Sequence, residues 1–410
     1  MASLFGSSLN AGESYKFQEL QSIALGNNPQ IKAIFNEWKA VVSEITASRS
    51  LQDPKISYSE FIEEVQTRVG PQNRKISFSQ MFPWFGTLKL RGKITSTKAE
   101  IVEQKLENTK LNIVNELKKT LYDLILLDRK IQIYVDHLDL LNGIELSAKG
   151  HLKSGKGHLS NVLKTQVERE RLIDSLSTLK ALKTPYEKKL EKVLGLKINK
   201  SLPAIVQPNL VNLNKAFLIT EFKKNNPKWL ANNKSQTMGQ YSIDLAKKSG
   251  KPSFGVGIGW IDTGEAFMPN TKGSGDDPLA LTLSLSVPLW RAKVNSKINK
   301  AKYNYQSSIE EGKSIIDNFE SELEIILFRV KDSKRKKELY SKILLPKVKD
   351  AYKSTNNAYV AGKVSFQNLL DAERLVLRIS LDYEISINSH YKAYADLNKI
   401  IGTIGVINEQ

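Results

Sequence analysis

The sequence repeats one plan, and this duplication limits the folds that the chain can adopt. A glycine–lysine pair at Gly155 recurs at Gly362, an offset of 362 − 155 = 207 residues. The same offset relates Gly195 to Gly402, each of which follows a stretch of regularly spaced apolar residues. A constant offset over this length predicts a fold built from two similar units.

Each copy is predicted to contain a helix, two strands, a long helix and a returning helix. We therefore divide the chain into an N-terminal extension (1–15), a first repeat (16–200) and a second repeat (201–410). In the first repeat, the opening helix is predicted over 16–51 and ends before Pro54, which removes a helical hydrogen bond.

The strand segments alternate between apolar and small or polar residues, most clearly in the second repeat. In the first repeat they cover 55–61 and 75–82, with a turn predicted at 70–73. In the second they cover 254–260 and 279–289, and the predicted apolar face includes Phe254, Val256, Ile258, Leu281, Leu283 and Leu285. Period-two alternation is typical of a strand with one apolar and one wet face.

Two interpretations of these strands remain open. They fit a soluble sandwich, or a membrane sheet whose strands have about 9–11 residues and aromatic side chains near their ends. Trp84, Trp260 and Trp290 lie at strand ends, which favours the membrane interpretation.

The predicted helices are longer than those of an ordinary domain. The segment 88–149 contains no proline and would span ~90 Å as a helix. Its apolar and aromatic residues recur in steps of three and four from Leu117 to Leu141, the spacing of a coiled-coil seam. In the second repeat, Pro346 lies inside the corresponding helix and is expected to kink it.

Four strands cannot close a membrane barrel, since about eight are needed. No apolar run approaches the ~20 residues of a transmembrane helix, so strands would have to cross the bilayer. The predicted fold is mainly α with membrane β. Long helical hairpins form an α-barrel, and four strands per protomer contribute to a trimeric twelve-stranded β-barrel.

No pattern of catalytic residues was found. The chain has no cysteine, and its four histidines form no paired ligand set, so neither a metal nor a cofactor is predicted. His151 and His158 flank a glycine turn and are interpreted as solvated. The glycine-rich segments at 150–157 and 255–259 lack the strand-to-helix context of phosphate or dinucleotide loops.

The net charge of +18 raises the question of nucleic acid. The lysines are scattered at helical spacing without interleaved aromatics, so we interpret them as solvated faces, and the origin of the strong charge stays open. The segment 1–12 lacks the basic and apolar regions of a secretory signal. Either the protein is cytosolic or a signal has been removed, and the strands favour removal.

The plan and several motifs resemble the TolC-like outer-membrane efflux proteins. The likeness extends over about 16–402, and each motif is weak alone while their order is specific. The residues that carry it are 24–31, Pro54, 287–289, 345–346, 359–363 and 369–373. The lipid anchor of some family members requires an N-terminal cysteine, which this chain lacks.

The resemblance implies a homotrimer in the outer membrane of a Gram-negative bacterium, with a helical tunnel in the periplasm. It implies a periplasmic adaptor and an inner-membrane pump as partners, with the adaptor meeting the hairpin tips. The matching tip residues are Gly155, His158, Leu159, Ser160, Gly362, Val364 and Ser365.

Family members often carry two acidic residues at the tunnel's periplasmic aperture. The matching positions are Asn368 and Asp371, so one of the two is not acidic here, and cation preference is correspondingly less strongly implied. An alternative role for Asp371 is an ion pair with Arg374 or with a lysine of the adjacent protomer.

The predicted function is passive conduction by the export duct of a tripartite efflux system, without enzymatic activity. Two alternatives stay open: a channel for protein secretion of type I, and a soluble helical scaffold. Whether the cargo is a drug, a metal ion or a protein is not decided by the residues.

Overall fold

The computed structural model describes residues 14–198, 200–203, 206–208 and 210–404. The elements occur in the same order in the two halves of the chain. The first half contains α1 (Phe17–Asn27), α2 (Pro29–Arg49), β1 (Lys55–Thr67), β2 (Gly70–Phe82), α3 (Thr87–Lys153) and α4 (Leu159–Leu194). The second contains α5 (Lys215–Asn225), α6 (Pro227–Lys248), β3 (Ser253–Thr263), β4 (Leu279–Ser286), α7 (Arg291–Leu339), a π-helical segment (Tyr340–Leu344), α8 (Leu345–Val360) and α9 (Phe366–Ile400).

The predicted fold class is confirmed: long helical hairpins accompany four antiparallel strands. The chain forms two compact units, each assembled from both halves of the sequence. The sheet unit comprises 35–105 and 228–315, and the helical unit comprises the described residues of 1–34, 106–227 and 316–410. Among the described residues, no helix is both long and apolar enough to cross a lipid bilayer.

The opening helix is not continuous, contrary to the prediction of one helix over 16–51. It breaks at Asn28, whose backbone leaves the helical region at φ −59° and ψ 124°. The side chain of Asn28 accepts a hydrogen bond of 2.9 Å from the backbone amide of Gln30, and Pro29 begins α2. The second half breaks in the same way between Asn225 and Pro227.

The first strand pair is longer than predicted, and the predicted turn at 70–73 is wrong. Thr67 pairs with Gly70, so the turn consists of Arg68 and Val69. Gly70 is needed for a different reason: it has φ +136°, and a Cβ there would lie 1.7 Å from the carbonyl oxygen of Gly264. The glycine signal therefore reports a close approach of the backbone from the β3–β4 connection, not a turn.

The helical unit buries the predicted seam. Leu117, Leu121 and Leu124 of α3 are nearly inaccessible and pack with Leu190 and Leu194 of α4. In the second half, the five-residue π-helical segment immediately precedes the helix that carries Pro346. A kink was expected at Pro346. The regular α-helix is already interrupted before this proline, at Tyr340–Leu344.

Candidate membrane and tip surfaces

The four strands form one antiparallel sheet in the order β1-β2-β3-β4, and its two faces differ sharply. Residues paired across strands lie on the same face. One row contains Ile56, Phe78, Ile258 and Leu281, and the neighbouring row on the other face contains Ser57, Ser77, Gly259 and Ala280. The register thus segregates apolar from small side chains over all four strands.

No described residue of the protomer covers the apolar face. Leu281 and Leu283 are 73% and 76% exposed, and Phe254, Val256, Ile258 and Leu285 are also exposed. These are the six side chains for which lipid contact is predicted, and the register places them on one face. An exposed apolar surface of this extent marks an interaction with a membrane or another protein.

Aromatic side chains lie at both ends of the apolar face. At the end where the strands join helices, Trp84 stacks on Phe254 with ring centroids 5.8 Å apart, and Phe85 and Trp290 are exposed. At the other end, Trp260 pairs with Leu279. An apolar band flanked by aromatics is the pattern of strands that cross a bilayer.

The two hairpin tips share one geometry. Gly155 and Gly362 have φ values of +71° and +73°, and a Cβ on either would meet no atom within 4 Å. In both tips, the amide after the glycine bonds back to a carbonyl five residues earlier: Lys156 to His151 and Lys363 to Ala358.

The other predicted tip residues flank these glycines. His158 and Ser365 are the N-caps of α4 and α9, and Ser365 accepts a hydrogen bond from the amide of Asn368. Leu159 and Ser160 are exposed, and Val364 is half-buried against the core of the helical unit. No contact at either tip shows what binds there, so their role in docking stays a prediction.

Asn368 and Asp371 are both exposed, on the opposite side of α9 from the buried Leu369 and Leu370. Asp371 Oδ1 accepts hydrogen bonds from Gln367 Nε2 at 3.0 Å and from Arg374 Nη1 at 3.3 Å. The ion pair with Arg374 considered from the sequence is therefore present. Asp371 nevertheless keeps 58% of its side chain exposed. Its place at a pore aperture stays a prediction.

Arg374 ties this surface to the neighbouring helix. It donates to Glu168 of α4 as well as to Asp371, and pairing with Glu168 raises the pKa of the guanidinium. Arg374 therefore stays charged and neutralises part of the negative potential of the two carboxylates. Sequence spacing identified the Asp371 contact, but it could not identify Glu168, which lies on a different helix.

Two buried histidines were not singled out by sequence. His137 Nδ1 lies 2.8 Å from the carboxylate of Glu373, and both side chains are buried. His390 contacts the hydroxyl of Ser333 at 3.2 Å, and burial, with help from Lys337, lowers the pKa of His390. His151 lies in α3 and stacks on Tyr359, so its assignment to the solvated turn was wrong.

Within the part of the chain that the structure describes, no cluster of three or more His, Cys, Asp or Glu residues could hold a metal ion.

No protein-family model and no curated protein sequence matches the chain. Several solved structures have the same fold. The CmeC outer-membrane channel of Campylobacter jejuni gives a TM-score of 0.77 at 14% identity, over 99% of this chain and 92% of that one. A membrane protein from Pseudomonas aeruginosa gives 0.80 at 13% identity, over 98% and 99% of the two chains.

The MtrE outer-membrane channel of Neisseria gonorrhoeae, solved in its open state, gives 0.75 at 14% identity, over 97% of this chain and 95% of that one. The chain therefore has the TolC-like fold expected from its sequence. At these identities, the likeness establishes the fold and not the activity.

Proposed function

We propose that the protein is an outer-membrane export duct, formed by three copies of this chain, through which substrates pass without chemical change. The observation that supports this most directly is the single apolar face that crosses all four strands, opposite a face of serine, glycine and threonine. A soluble sheet would bury its apolar face, whereas a membrane sheet turns it toward lipid.

The sheet edges support an oligomer. Among the described residues of the protomer, β1 and β4 each lack a neighbouring strand on one side. Unpaired edges in a bilayer cost several kcal/mol per lost hydrogen bond (on the order of the desolvation of one amide), so the edges must be paired. Pairing β1 of one protomer with β4 of the next in three copies closes a twelve-stranded barrel.

The same fold supports a location and a set of partners. We place the barrel in the outer membrane and the helical hairpins in the periplasm of a Gram-negative bacterium. A periplasmic adaptor at the two hairpin tips and an inner-membrane pump would complete the export system. Energy for transport would come from the pump, and a protein cargo remains the second candidate.

The test is to separate the membranes of expressing cells by density and to purify the protein with and without detergent. We expect it in the outer-membrane fraction, soluble only in detergent, at three times the 46.1 kDa protomer mass. A monomer that stays in solution without detergent would instead favour the helical scaffold.

A further inference from the structure

The sheet unit contains a cavity of about 570 Å³ where β2 ends and β3 begins, against α3, α6 and α7. Its charged lining is entirely cationic: Arg91, Lys248, Lys251, Lys297 and Lys300 line it, and no carboxylate does. Arg91 and Lys248 are half-buried in the wall, and the other three are exposed at its mouth.

Several other lysines of the same unit have a carboxylate partner. Lys98, Lys105 and Lys234 each pair with a glutamate at 3.0 Å or less. In the described part of the chain, none of the five cavity cations pairs with a carboxylate, and Lys248 donates to the carbonyl oxygen of Phe85 at 2.9 Å. Five positive charges gathered without a counter-charge create a positive local potential, which attracts an anion.

The rest of the lining suits an anion that carries an apolar group. α3 begins beside the cavity at the buried Thr87, so the positive end of its dipole lies at the cavity. Trp84 provides an apolar wall. Met81 also lines the cavity, but it pairs with Gly255 and lies on the small-residue face of the sheet. Trp84 also stacks on Phe254, which belongs to the apolar face of the sheet, so that face begins beside the cations.

We propose that this cavity binds a phosphate-bearing anion, and that this anion is the headgroup of an anionic glycerophospholipid. The proposal rests on the proposed function, since it needs the sheet to lie in lipid. Arginine and lysine bind phosphate oxygens well, and lysines near a membrane surface attract anionic lipid. The acyl chains would lie along the apolar face beyond Trp84. A soluble phosphate would satisfy the cations but leave this apolar wall unused.

The test compares two double variants of α7 in detergent-purified protein. Lys297→Gln with Lys300→Gln removes two cavity cations one turn apart. Lys293→Gln with Lys302→Gln removes the same charge from exposed positions of the same helix that do not line the cavity. Lipid bound per protomer is measured by native mass spectrometry after exchange into phosphatidylglycerol or phosphatidylcholine, with and without inorganic phosphate.

We expect wild type and the control to retain phosphatidylglycerol over phosphatidylcholine, and the cavity variant to lose about tenfold in affinity. Equal retention by both variants would overturn the proposal. Displacement of the lipid by millimolar inorganic phosphate, or binding of phosphate alone, would overturn its assignment to a lipid.

Bilayer conductance of the same preparations separates this proposal from the proposed function. If the channels conduct normally and the cavity variant retains lipid, the result contradicts the headgroup site but not the proposed function. If no preparation forms channels, the function itself fails.

Discussion

The side chain of Asn28 donates a hydrogen bond of 2.8 Å to the backbone carbonyl of Val193, at the last turn of α4. The second half repeats it: Asn226 donates to Ile400 at 2.8 Å. The last carbonyls of a helix have no partner within that helix, so each asparagine satisfies one of them while it breaks its own helix. The duplicated sequence thus encodes a duplicated junction.

Removing this junction is expected to destabilise the helical unit. Asn28→Ala or Asn226→Ala leaves a buried carbonyl without its donor, and we expect each to lower the free energy of unfolding by about 1–3 kcal/mol. Asn233→Ala, at an exposed position of α6, should change it by less than about 0.5 kcal/mol. Denaturant titration in detergent measures all three, and equal effects would assign the asparagines no structural role.

A cation on the apolar face should be costly. Leu283→Arg places a charge among exposed leucines near the middle of β4 and should lower membrane stability by about 2–4 kcal/mol. Thr282→Arg puts the same side chain on the small-residue face and is expected to be tolerated. Folding into lipid vesicles at increasing urea compares them, and a larger cost for Thr282→Arg would reverse the proposed orientation of the sheet.

A charge at the second hairpin tip should block docking without disturbing the fold. Gly362 has a positive φ but open space around it, so Gly362→Ala should cost only about 1 kcal/mol. Gly362→Asp is expected to abolish export while the trimer persists. Gly26→Asp, which also meets open space but lies in α1, is the control. Export by the Gly362→Asp variant at the wild-type rate would move docking elsewhere.

Loss of the Asp371 carboxylate should alter conduction if it faces the pore. We expect Asp371→Ala to raise single-channel conductance and to weaken block by a trivalent cation, because a ring of three carboxylates would be lost. Gln367→Ala removes a hydrogen bond to the same carboxylate without changing its charge and should leave block intact. If Asp371→Ala left the block unchanged and made the trimer less stable, the role of Asp371 would be limited to its ion pair with Arg374.

Acid should destabilise the helical unit through His390. Burial lowers the pKa of this imidazole in the folded state, so the unfolded chain binds a proton more readily. Stability should therefore fall as the pH drops through the unfolded value of about 6.5. His390→Gln should flatten this dependence of Tm between pH 7 and 5, whereas His158→Gln, at an exposed tip, should not. If the Tm of His390→Gln fell with pH as steeply as that of the wild type, other groups would cause the acid sensitivity.

Local pattern predicted much of the fold. The alternation around Leu283 and the three–four spacing from Leu117 each report which side of an element is apolar, so strands and long helices were predictable. The end of β1 was not predictable. The dipeptide Gly70-Pro71 is typical of a turn, but Gly70 is required here because the backbone of Gly264, in the β3–β4 connection, lies against it. Asn28-Pro29 recurs as Asn226-Pro227, and the residue before a proline is disfavoured in a helix, so this break could have been predicted locally. The hydrogen bond from Asn28 to Val193, 165 residues away, could not.

Sites assembled from distant segments escaped prediction. His137 meets Glu373 across 236 residues, and each looks ordinary on its own helix. The cavity cations come from α3, the end of α6 with the turn that follows it, and α7, where scattered lysines are indistinguishable from solvated ones. Only their convergence beside Trp84 sets them apart.

The central claim, that one face of the sheet meets lipid and the other meets water, can be tested residue by residue. The sequence contains no cysteine, so single cysteines can be placed along β4 without removing native thiols. In vesicles, a membrane-impermeant maleimide should label Thr282→Cys and Ser284→Cys, and it should leave Leu281→Cys and Leu283→Cys unlabelled until detergent is added. Uniform labelling of all four positions, or labelling in the opposite phase, would contradict the account.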